Sequence, residues 1–145
     1  MVETQVPSAS PTFNIGTWVP RSTNIQPVTV TTYDIGVFLP GKTSASQLVL
    51  LLPVERTVRF SAGLTPSVAS AGTSAAADSV FTLNNNGTQF ATLTFHSTGP
   101  ATFASTNGTT FNAGSVLSIT APSVPDTNLS DIGIVLSGIA PQEQN

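Results

Sequence analysis

The sequence has 145 residues, 39% of them hydrophobic and only 8% charged, which is enough to fill one core under a surface of mostly neutral polar side chains. The net charge is −3 with four Lys and Arg residues in all. That number is too small for a basic patch that could bind nucleic acid, so we expect no nucleic-acid partner. The absence of cysteine excludes disulfides and thiolate metal sites.

Residues 1–30 are predicted to form an extended N-terminal arm. The segment is rich in Pro, Ser and Thr, and its apolar residues are isolated, so it could not fold alone. It nevertheless holds the only Trp of the chain, which a purely solvated tail would not need. We therefore expect the arm to bind a neighbouring surface through Phe13, Ile15, Trp18 and Val19. A solvated tail and an extra edge strand on the same domain are the alternatives.

Two strand patterns follow the arm. Tyr33, Ile35, Val37 and Leu39 alternate with other residues, which is typical of a half-buried strand. The run 47–54 is almost continuously apolar and predicts a strand that is buried on both faces. This run is far shorter than the ~20 residues of a membrane-spanning helix, so we expect no membrane association.

The segment 67–78 consists mainly of Ala, Ser, Thr and Gly. Ser, Thr and Gly disfavour a long helix, so we interpret the segment as a strand and loop of small residues at a crowded contact. Ser70, Gly72 and Ala75 are the candidates for close contact between subunits.

Two Asn-Gly pairs predict β-hairpins in the second half of the chain. Asn86-Gly87 lies between the alternating runs 79–83 and 89–95, and this arrangement is the strongest hairpin signal in a short sequence. Asn107-Gly108 also separates two strand-like runs and predicts a second hairpin by the same reasoning.

Two final strand patterns, 115–121 and 131–139, complete the domain. About eight strands fall within about 110 residues, with turn signals every ~8–12 residues, as in sandwiches and barrels. No segment shows sustained helical periodicity. The sequence therefore predicts an all-β, two-sheet antiparallel sandwich, and within that class an eight-stranded jelly roll. The sandwich would span residues 31–140, with a short C-terminal tail at 141–145.

Five turn and strand signatures occur in a fixed order. They include Asp-Ile-Gly-Val-Phe-Leu-Pro-Gly-Lys at 34–42 and Phe-Asn-Ala-Gly-Ser at 111–115, and the others lie at 59–64, 80–95 and 126–132. This order resembles a family of short structural domains of tailed bacteriophages and prophages, over residues 33–138. The resemblance implies a jelly roll that occurs alone or at the end of tail-fibre proteins. The acidic residue that usually follows the Ala-Gly turn in that family is Ser115 here, which argues against a metal site at this turn.

The sequence holds no group of residues typical of an active site, so we expect no enzymatic activity, cofactor or metal. An enzyme needs a base, a nucleophile or a metal in a pocket. His96 is the only histidine, and neither a Gly-x-Ser-x-Gly motif nor a cysteine accompanies it. Asp126 and Asp131 are more typical of backbone capping at a turn and at a strand start than of glycoside cleavage or calcium binding.

These features favour a virion structural protein, and capsid decoration (cement) is the leading hypothesis. The jelly roll would form a homo-oligomer, with a trimer favoured, and its arm would bind the major capsid protein or other virion proteins. A tail or fibre component that binds a host receptor carbohydrate is the alternative. A non-viral carbohydrate-binding or adhesin module is a further one. The first five residues lack the features of a signal peptide, so assembly in the host cytoplasm is expected.

Overall fold

A computed structural model describes residues 30–141, which form ten β-strands in two antiparallel sheets and a single helical turn at Ala62–Leu64. The predicted all-β, two-sheet antiparallel sandwich is therefore confirmed. The arm anchors Phe13, Ile15, Trp18 and Val19 lie outside the described residues, as does the chain after residue 141.

The strands outnumber the expected eight, and three of them are only three residues long, which is the lower limit of the usual strand length. In chain order they are β1 (Val30–Leu39), β2 (Leu48–Pro53), β3 (Val58–Phe60), β4 (Val68–Thr73), β5 (Ser79–Asn85), β6 (Thr88–Phe95), β7 (Thr102–Ala104), β8 (Thr109–Phe111), β9 (Val116–Thr120) and β10 (Ser130–Pro141).

The last strand, β10, is a central strand of the first sheet and pairs with three others. On one side β10 pairs with the whole of β1, from Val30 opposite Pro141 to Leu39 opposite Ile132. On its other side β10 pairs with β4 and, near its end, with β3, which in turn pairs with β8. The second sheet has the order β2-β9-β5-β6-β7. Each sheet therefore combines strands from both halves of the chain.

The core lies between the sheets because the strands alternate inward apolar residues with outward residues. In β10, Ile132, Ile134 and Leu136 are all 1% exposed and lie in the core. Gly138 continues the same inward row, where a Cβ atom would lie 2.9 Å from both the Phe60 ring and Val58. A residue without a side chain is therefore required at this point of closest packing.

The first predicted hairpin is confirmed. β5 and β6 pair from Ser79 opposite Phe95 to Asn85 opposite Thr88, and Asn86 and Gly87 form the turn. Both turn residues have positive φ angles, 51° and 84°, which the turn requires and which Asn and Gly accept most readily.

The second predicted hairpin is wrong. β7 pairs with β6 in the second sheet, whereas β8 pairs with β3 in the first, so the chain crosses between the sheets at residues 105–108. Gly108 serves close packing instead of a hairpin turn. A Cβ atom there would lie 2.9 Å from the carbonyl oxygen of Phe60.

The apolar run 47–54 is also placed differently from the prediction. Its central part forms β2, which lies at the edge of the second sheet and pairs only with β9 within residues 30–141. Leu48 and Leu51 are 51% and 60% exposed, so burial on both faces is wrong for the described part of a single chain. A run of apolar residues indicates that the segment tends to be buried, but it does not indicate which neighbouring element or partner buries it.

Candidate protein-binding surface

Two edge strands lie next to each other on one side of the sandwich, which we name the open side. It consists of β1 and β2, the edges of the first and second sheets, which contact each other. At the opposite ends of the two strand orders are β8 and β7, each three residues long. Very short edge strands resist pairing with other chains, whereas long, regular ones invite it. Among the described residues β4, six residues long, pairs only with β10 and is a further edge. β1 has ten residues and is the longest edge strand, so the open side is the better candidate for strand pairing with a partner.

The edge of β1 has the regularity that such pairing needs. Its ten residues follow an unbroken register with β10, and no proline or bulge interrupts them. Tyr33 and Val37 pack against the core but are only partly buried. An additional strand beside residues 32–39 of β1 would therefore find both backbone partners and apolar surface to cover.

The outer face of the first sheet carries an exposed apolar surface, the outer patch, formed by Phe38, Val68 and Val135. These side chains are 65%, 61% and 40% exposed. The patch borders a shallow groove, and Gly36 and Gly133 form part of its lining. No residue that lines this groove carries a charge. Exposed apolar surface of this kind is typical of protein-binding sites.

The small-residue segment divides between surface and core. Ser70 is exposed and lines the groove beside the outer patch. Gly72 is exposed as well, but a Cβ atom there would lie 3.0 Å from the Cβ atom of Asp131, so its small size serves packing within the chain. Ala75 is 5% exposed and belongs to the core. Of the three predicted contact residues, Ser70 and Gly72 are therefore the ones at the surface.

The carboxylate of Asp126 connects two loops, the one before β5 and the one before β10. Its carboxylate accepts hydrogen bonds of 2.8–3.0 Å from the backbone amides of Ala76, Ala77, Asn128 and Leu129. The amide of Ala76 has the largest effect in holding the pKa of Asp126 well below its usual range, because these donors favour the ionised form; partial burial opposes them. The predicted capping role of Asp126 is confirmed.

Asp131 has a similar structural role at the start of β10. Its Oδ1 atom accepts a 2.8 Å hydrogen bond from the amide of Gly41, and its own amide donates to the Gly41 carbonyl at 3.0 Å. The residue after Gly41 adds a contact between the same two regions, because the Nζ atom of Lys42 donates to the backbone carbonyl of Thr127. Both predicted carboxylates are thus committed to backbone contacts.

His96 makes contacts that the sequence did not indicate. Its Nδ1 atom lies 3.0 Å from Asp78 Oδ1, and its Nε2 atom lies 3.0 Å from Thr102 Oγ1. Asp78 precedes β5, His96 follows β6 and Thr102 begins β7, so the three side chains tie together three neighbouring strand ends. The order carboxylate, imidazole, hydroxyl also occurs in catalytic triads, which additionally need donors that stabilise an oxyanion. Only the pairing in space, not the sequence, reveals this contact.

Within residues 30–141, no three His, Asp or Glu side chains are grouped so that they could hold a metal ion. This part of the chain also contains no helix of the length and hydrophobicity needed to cross a membrane.

The sequence matches neither a protein-family model nor a curated protein. The fold defines the class of protein as an all-β, two-sheet sandwich, and the open side and the outer patch are its candidate binding surface.

Proposed function

We propose that this chain is a virion structural protein of a tailed bacteriophage and that it decorates the capsid as a cement protein. The observation that carries the proposal is the combination of the β1 edge at residues 32–39, which pairs with no strand besides β10 within residues 30–141, with the uncharged outer patch on the same sheet. Such surfaces bind protein through main-chain hydrogen bonds and apolar contact. The phage context comes from the resemblance of residues 33–138 to phage structural domains.

The scarcity of charge supports a role in permanent assembly. Only 8% of the residues are charged, and burying neutral hydroxyl or amide groups against a partner costs less free energy than burying Lys or Glu. A surface of this kind can be covered over a large area without leaving charges unpaired. The proposed role is passive binding and requires no catalysis, cofactor or metal.

The proposed assembly follows from this surface. The sandwich, taken as a jelly roll, forms a homo-oligomer, a trimer in the favoured form, on the outer face of the shell. The arm, residues 1–30, reaches a neighbouring subunit or the major capsid protein through Phe13, Ile15, Trp18 and Val19. Many copies, each bound weakly, stabilise the shell together through multivalency.

A tail or fibre component is the second candidate, favoured by the resemblance to domains that end tail-fibre proteins. In that role the arm docks on the tail, and the loops of the sandwich contact a carbohydrate receptor on the host. Exposed aromatic side chains are the usual platform for a sugar ring, and among residues 30–141 the one strongly exposed Phe is Phe38. Phe38 lies on a sheet face, not in a loop, which favours protein contact.

Copy number and particle stability test the proposal. A decoration protein is present in hundreds of copies per particle, and its deletion reduces the survival of full heads in low salt or chelator. A tail component is present in a few to some tens of copies, and its deletion abolishes adsorption while the heads stay intact. Absence of the chain from purified particles would reject both roles.

A further inference from the structure

We propose that residues 12–19 of a second copy of this chain add to the open side as an extra strand, hydrogen-bonded to the edge of β1 over residues 32–39. The inference rests on the proposed function and deepens it, because it names a sister subunit as the partner of the arm.

The acceptor is an edge that one chain leaves incomplete. Within residues 30–141, β1 pairs on one side only, with β10. The partly buried Tyr33 and Val37 of β1 and Leu52 of β2 all pack at the margin of the core. A strand added beside β1 would cover this margin from the open side.

The donor segment has the pattern of a strand. Residues 12–19 read Thr-Phe-Asn-Ile-Gly-Thr-Trp-Val, contain no proline or charge, and are bounded by Pro11 and Pro20. Phe13, Ile15 and Val19 fall on one face of a strand of period two, which suits contact with an apolar margin. The segment has eight residues, as does the edge 32–39, so each spans about 26 Å when extended.

The connection favours a second copy over the same chain. Residues 20–29 link the donor segment to β1 and contain Pro20 and Pro27 but no glycine. A tight hairpin calls for turn residues that accept positive φ, of which the link contains only Asn24, whereas its two prolines favour an extended form. In that form ten residues would span about 30 Å, which would place the donor segment away from its own β1. Exchange of such a segment between subunits produces a homo-oligomer.

Thiol cross-linking of the full chain tests the proposal cleanly, because the protein contains no cysteine of its own. Two single variants, Asn14→Cys in the donor and Gly36→Cys in the middle of the β1 edge, are mixed and treated with a short bismaleimide. Gly36 is exposed, has open space around it, and lies within about two residues of position 14 whether the added strand runs parallel or antiparallel to β1. The matched control mixes Asn14→Cys with Asn107→Cys, an exposed position between β7 and β8. Each variant is also treated alone, and the linked peptides are identified by mass spectrometry.

We expect a covalent dimer that joins position 14 to position 36 in the first mixture and none that joins 14 to 107 in the control. Two results would overturn the proposal. One is the absence of the 14–36 dimer; the other is a double variant, Asn14→Cys with Gly36→Cys, that links only within a single chain. Binding of the same variants to particles is scored separately. If the 14–36 link is absent while particle binding persists, strand exchange is wrong and the proposed function stands.

Discussion

Removing the carboxylate of Asp126 should destabilise the fold by an amount that the structure allows us to estimate. The amide of Leu129, a residue that is 2% exposed, would lose its acceptor without regaining water, at a cost of about 2 kcal/mol. The amides of Ala76, Ala77 and Asn128 form exposed hydrogen bonds, which water can replace at about 0.5 kcal/mol each. We therefore expect Asp126→Ala to lower the free energy of unfolding by about 3.5 kcal/mol.

Urea denaturation followed by far-UV circular dichroism measures this effect. With an m-value of about 1.5 kcal/mol/M, the midpoint should fall by about 2 M for Asp126→Ala and by about half as much for Asp126→Asn, which keeps one acceptor oxygen. Glu55→Gln is the matched control, because among residues 30–141 the Glu55 side chain pairs only with the adjacent, exposed Arg56. Its loss should change stability by less than about 0.5 kcal/mol.

The effect of Asp126 should also depend on pH in one direction. Its pKa in the folded state lies below the ordinary value of about 3.9 that it regains on unfolding. The unfolded state therefore binds the proton first, so the stabilisation is fully present above about pH 5 and declines as the pH falls below about 4. The difference between wild type and Asp126→Asn should narrow over that range. Equal midpoints at pH 7, or a difference that grows in acid, would refute the role assigned to Asp126.

Three further substitutions test the packing and the surface. Gly138→Ala should cost about 1–3 kcal/mol, measured by urea denaturation, because its Cβ atom would lie 2.9 Å from Phe60 and Val58; an unchanged midpoint would contradict the packing. Gly87→Ala should cost about 1 kcal/mol in the same assay, because Gly87 has a φ of 84°, and a neutral result would argue against the turn. Phe38→Ser should change stability by less than about 1 kcal/mol, because Phe38 is 65% exposed, yet it should weaken retention on particles; full retention would remove the outer patch from the interface.

The sequence predicted the fold class well because alternation and turn chemistry act locally. Asn86-Gly87 was identified correctly since its positive φ angles are a property of the turn itself. The hairpin predicted from Asn107-Gly108 is wrong because Gly108 serves close packing against Phe60. Only the tertiary structure distinguishes a glycine in a hairpin turn from a glycine at a close contact. The placement of β7 and β8 in different sheets depends on the strands with which they pair. A local sequence pattern does not indicate those pairing partners.

The candidate surface was only partly predictable. The sequence marked 47–54 as apolar, but it did not show that β2 lies at an edge beside β1. Ala75 was grouped with Ser70 and Gly72 by size, whereas the structure places it in the core. The contact of His96 with Asp78 and Thr102 joins residues from three strand ends and has no signature in the sequence.

The central claim is that a charge-poor β-sandwich acts by binding other virion proteins through the open side and the outer patch. Electron cryo-microscopy of purified particles, with this chain located in the map, tests it most directly. The account predicts density for the sandwich in many symmetric copies on the outer shell, with β1 and Phe38 covered by neighbouring protein. Particles that lack the chain, or copies whose open side and outer patch both face solvent, would contradict it.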